Sequence, residues 1–139
     1  MSTRSHEPLI RLARFKVEEL QKQMADIEQV RSNIIDQIER LEDSVPEEQA
    51  IASENREGFI AYGSYARSVI QRKEKLRISL GEVDEQTRAL KARMEDAFAE
   101  LKKFELLEER RLSHIEQSVR QAEQAELDEI AASIRQRAN

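Results

Sequence analysis

From residue 10 to residue 45, apolar side chains recur at alternating steps of three and four. Ile10, Val17, Met24, Ile38 and Val45 occupy one heptad position, a, which is interrupted only by Arg31. Ala13, Leu20, Ile27, Ile34 and Leu41 occupy the other, d. This spacing lays a continuous apolar stripe along one side of an α-helix. One helix cannot remove such a stripe from water by itself. The chain is therefore built to pair, and the first functional question is what it pairs with.

Composition narrows the fold further. Of 139 residues, 37% are charged and 39% hydrophobic, and only 4% are aromatic, a profile of long helices and coiled coils. Three Gly and two Pro are too few to punctuate a set of strands. No window is apolar on more than one face, so the expected product is an elongated rod rather than a compact core. The sequence has no Cys, which excludes disulfides and thiolate metal sites and fits a reducing compartment. The first residues have no apolar stretch resembling a signal peptide, and no run is long and apolar enough to span a bilayer. The chain is accordingly read as cytoplasmic, with no direct membrane insertion. A net charge of -5, with acids and bases interleaved as on solvated helices, argues against a nucleic-acid binder.

The stripe, with the punctuation around it, predicts an all-α, antiparallel two-helix coiled-coil hairpin forming a single domain. Helix one is expected over 7–45, opening at Glu7-Pro8, where proline's missing N–H is not needed, with Ser5 or His6 just outside. Val45-Pro46 reads as a stop, and residues 46–58 as a connection holding a possible short helix, Glu47 to Ser53. Helix two is expected over 59–137, with Phe59, Ala66, Lys73, Leu80, Thr87, Met94 and Leu101 at a. Tyr62, Val69, Leu76, Val83, Leu90, Ala97 and Phe104 fill d. Arg31 and Lys73 are expected in nearby layers, their heads turned outward to acids such as Glu28 or Glu74.

Helix two is much longer than helix one, so its C-terminal part is expected to overhang from about residue 98. The phase of the apolar pattern changes there. The earlier frame puts Glu108 and Arg111 in the seam, while the apolar residues move to Leu112, Ile115, Val119 and Ala122, followed by Ile130 and Ile134. Steps of 3-4-4-3 from Leu101 to Ile115 resemble an eleven-residue period, which unwinds a left-handed supercoil. The overhang is thus patterned for a different neighbour.

Catalytic chemistry is missing. His6 and His114 stand alone, no phosphate loop, HExxH or GxSxG pattern occurs, and a two-helix rod offers no cavity in which to separate carboxylate pKa values. No enzyme activity, cofactor or metal is expected. The one aromatic cluster lies at the start of helix two. Tyr65, Val69, Arg72 and Leu76 trace an i, i+4, i+7, i+11 row that either anchors a partner or packs locally against the connection.

The chain resembles the FliJ family of flagellar export proteins. Leu101-Lys102-Lys103-Phe104-Glu105-Leu106-Leu107-Glu108-Glu109-Arg110-Arg111 is similar to that family's run of Leu, basic residues, an aromatic or Leu, and Glu-Arg. Tyr62-Gly63-Ser64-Tyr65, Leu76-Arg77-Ile78, Leu127-Asp128-Glu129-Ile130-Ala131 and Leu9-Ile10-Arg11-Leu12 with Phe15-Lys16 also fit. The resemblance implies a soluble component of the flagellar type III export apparatus, needed for motility. Such a protein would be the central stalk of the hexameric export ATPase and an adaptor to the transmembrane export-gate protein and export chaperones. It would lie at the inner face of the cell membrane through those partners. It implies ATPase contacts at Leu9, Arg11, Arg14, Lys102, Lys103, Glu108, Glu109, Arg110 and Arg111, and gate contacts at Tyr65, Val69, Arg72 and Leu76. Two other readings share the same physics: a structural coiled coil that self-associates through its tail, and the equivalent stalk of a virulence-type secretion system.

Overall fold

The computed structural model describes residues 4–138, which form two α-helices and no strand. Helix α1 spans Glu7–Ala52 and α2 spans Arg56–Ala138, 46 and 83 residues respectively. The fold is the all-α, unequal two-helix hairpin that the heptads predict. Its packing falls into two units, Glu18–Glu95 and Met1–Val17 with Asp96–Asn139.

In the Glu18–Glu95 unit the two heptad stripes face each other. Leu20, Val69, Val83 and Leu90 are buried, and Ile27, Ile34, Ile38, Leu41, Leu76 and Leu80 are half-buried along the same seam. Arg31 and Lys73 do not fall in nearby layers as expected. Arg31 Nε donates to Asp84 at 3.0 Å, and Lys73 Nζ lies 3.1 Å from Glu42. Each cation leaves the seam sideways and reaches an acid on the opposite helix, so the two ion pairs lie about three turns apart.

The expected stop at Val45-Pro46 is not where α1 ends. The helix continues through Pro46 to Ala52, and only Ser53–Asn55 separate the helices, in place of a 46–58 connection. Proline deletes one helical hydrogen bond, but Pro46 is exposed, so water can reach the carbonyl left without its partner. The residues that follow it, Glu47-Glu48-Gln49-Ala50, are good helix formers. Asn55 then caps α2, its Oδ1 accepting the Gly58 N–H at 2.6 Å, the ordinary N-cap arrangement. A Cβ at Gly58 would stand 3.4 Å from the Ala52 Cα. That is ordinary contact distance, and the one tight neighbour of such a Cβ is the capping Asn55 Oδ1, at 2.9 Å.

In the other unit the start of α1 lies along residues 96–111 of α2. Ile10, Ala13, Val17 and Ala97 are buried, Leu101 and Phe104 are half-buried, and Lys16 pairs with Glu100 at 3.8 Å. The covered part of α2 extends well beyond the expected residue 98, because the start of α1 is tied to Glu108. From Leu112 to Ala138 every residue is exposed.

Candidate partner-binding site

The most connected polar group in the described chain is the carboxylate of Glu108. It accepts the backbone N–H of His6 at 2.7 Å, His6 Nδ1 at 2.9 Å and the Ser5 hydroxyl at 3.2 Å, while Arg111 Nη2 donates to it at 2.6 Å. His6 is the residue whose carbonyl accepts the first bond of α1, from Ile10 N–H. Glu108 thus caps α1 from the other helix. It satisfies an orphan N–H and places negative charge at the positive end of the helix dipole. Ser5 Oγ in turn accepts the Glu7 N–H at 3.1 Å.

These donors hold the Glu108 carboxyl well below the usual carboxylate range, the Arg111 side chain most strongly and the His6 backbone next, against an opposing effect of desolvation. The same bond raises the Arg111 guanidinium. A depressed acid stabilises the fold above its unfolded pKa, near 4.3. That contribution is lost as pH falls through the folded value.

The sequence-predicted charged set therefore separates in two. Glu108 and Arg111 turn inward and bind each other and the start of α1. Leu9, Arg11, Arg14, Lys102, Lys103, Glu109 and Arg110 are exposed. Lys103 Nζ sits 5.6 Å from the centre of the Phe104 ring, a cation–π contact. Ser5 and His6 were not among the expected site residues. Their only sequence signal was the appearance of Glu108 and Arg111 at seam positions, which demanded polar partners.

Immediately beyond this capped junction α2 is bare, and it is not uniformly polar. Leu112, Ile115, Val119, Leu127, Ile130 and Ile134 are all exposed along it. A family model described as flagellar FliJ protein matches residues 4–139. The chain belongs to the FliJ family. No curated protein and no solved structure shows significant similarity to it. As a family member it is a flagellar export-related coiled-coil protein.

The row expected to meet the export gate divides as well. In this FliJ-family chain Val69 is only 3% exposed and belongs to the seam, not to an outer face. Tyr65 and Leu76 are half-buried, and Arg72 is exposed. These three line a shallow groove of about 520 Å³ together with Arg40, Leu41 and Ser44, and the Tyr65 hydroxyl donates to Ser44 Oγ across the helices. Among the described residues there is no His/Cys/Asp/Glu group that could hold a metal, and no helix long and apolar enough to cross a membrane.

Proposed function

We propose that this FliJ-family protein acts by binding rather than by catalysis, as the central stalk of the flagellar export ATPase ring and an adaptor to the export gate and export chaperones. The observation that carries the reading is the bare stretch of α2. Residues 112–138 expose a row of large aliphatic side chains, directly after a junction where Glu108 and Arg111 fix the start of α1. A helix that keeps such a row in water has a surface shaped for something outside the chain.

In this reading the bare stretch enters the ATPase ring, joined by the exposed Leu9, Arg11 and Arg14 of α1 and Lys102, Lys103, Glu109 and Arg110 of α2. Exposed charge pairs are worth roughly 0.2–1 kcal/mol each, which suits contacts that form and break as a ring cycles. Tyr65, Arg72 and Leu76, which line the groove, are the gate-facing candidates, and the protein reaches the inner face of the membrane through that partner. The test is stimulation of a purified export ATPase by the full chain, compared with a chain ending at Arg111. The full chain raises turnover or ring assembly and the truncated chain does not. Equal stimulation by both would refute the stalk assignment. Sedimentation tests the competing reading, because a stable dimer held by the tail would place the same row against a second copy.

A further inference from the structure

The two most exposed large hydrophobic residues in the described chain are neighbours at the hairpin turn: Phe59 at 70% and Ile60 at 69%. Ile51, on the other side of the turn, is 57% exposed. Phe59 sits in the seam frame of α2, one heptad before Ala66, yet it finds no cover. The cause is the stagger of the two helices. Residue 42 faces 73 and residue 31 faces 84, so a residue opposite 59 would have to come from an α1 longer than the one that ends at Ala52. The turn thus presents a seam position whose other half is missing. A Cβ at Gly58 would lie 3.4 Å from the Ala52 Cα and 3.5 Å from the Ile51 carbonyl oxygen, so Ile51 and Phe59 stand on closely approaching helix ends.

The charge around this patch is one-sided. Between residues 47 and 60 there are four acids, Glu47, Glu48, Glu54 and Glu57, and one base, Arg56. All five are exposed. We propose that the hairpin turn is a second docking surface, which inserts Phe59 and Ile60 into an apolar pocket of a partner protein rimmed by lysine and arginine. Charge selects among the possible occupants. A net local charge of -3, four acids less one base, repels an anionic bilayer and nucleic acid, and it repels the same turn of a second copy. A basic-rimmed protein pocket supplies both the missing apolar half and the opposite charge. This surface is separate from the residues of the stalk reading and does not depend on it.

The test uses the full chain and two synthetic amphipathic peptides of the same pattern, one of Leu and Lys, the other of Leu and Glu. Amide chemical shifts are followed by NMR during titration. The Lys peptide is expected to perturb residues 51–60 and to bind at least tenfold more weakly to a Phe59→Ser, Ile60→Ser chain of unchanged helicity. The Glu peptide is expected to leave the spectrum unchanged. Perturbation confined to residues 112–138, or affinity unaffected by the double substitution, would overturn the proposal. So would stronger binding of the turn to phosphatidylglycerol vesicles, or self-association of the chain that the double substitution abolishes.

Discussion

Residues 96–111 and 112–138 belong to one helix and carry large aliphatic side chains at a similar frequency, yet they are held in different ways. The first stretch keeps the heptad frame, with Ala97, Leu101 and Phe104 toward α1 and Glu108 and Arg111 closing the frame through polar contacts. The second shifts its aliphatic row away from that frame, and none of the described residues covers it. Helix formation therefore says little about what a stretch is for. The informative quantity is whether its apolar row is phased to the chain's own other arm or to something else.

Removing the second stretch altogether is the strongest way to break the comparison. A chain ending at Arg111 should keep its melting temperature, because the deleted residues cover no buried group, while losing stimulation of the export ATPase. Smaller in effect, but sharper, is a pair of alanine substitutions. Ile10→Ala empties a buried position and should cost about 2–5 kcal/mol, whereas Ile130→Ala should stay within ~0.5 kcal/mol, both read from thermal or urea unfolding. Similar costs at the two sites would show that the bare row is buried in solution.

The junction between the stretches gives a third, more local test. Glu108→Gln should speed hydrogen exchange at the His6 to Ile10 amides and leave exchange at Val83 and Leu90 unchanged. The same local loosening should begin in the unsubstituted chain as pH falls below about 4.3 and grow toward the lower folded value, since the opened state takes up the proton before the capped carboxylate does. It should be absent at neutral pH and absent from the Gln variant's own pH profile. The smallest effects concern single exposed ion pairs. Lys16→Ala, which breaks the cross-helix pair with Glu100, and Arg120→Ala, which breaks the local pair with Glu116, should each cost under about 1 kcal/mol. Only the first should be relieved by also removing its partner on the other helix.

Most of this architecture could be read from spacing. The d residues from Tyr62 to Phe104 are all buried or half-buried, as an unbroken stripe requires. What spacing could not supply was the exact level at which the arms meet. Pro46 reads as a stop because proline removes a donor, but tolerance of that loss depends on water reaching the exposed helix surface, which no pattern records. The layers of Arg31 and Lys73 escape spacing as well, since a layer depends on the stagger of the two helices, which pairs residue 31 with 84 and 42 with 73. Among the candidate site residues, exposure of Arg11, Arg14, Lys102, Lys103 and Arg110 follows from phase alone. Glu108 and Arg111 could not be recognised as a helix cap, because their partners Ser5 and His6 lie about a hundred residues away in sequence. Val69 could not be assigned to the inside while it served equally well in two overlapping rows.

Hydrogen exchange on the full chain, with and without the purified export ATPase, bears most directly on the claim that α2 ends in a surface made for another molecule. The account predicts fast exchange over residues 112–138 in the free protein, strong slowing there on binding, and little change over residues 96–104. Slow exchange of the bare stretch in the free monomer, or protection by the ATPase that falls only on the already covered stretch, would contradict it.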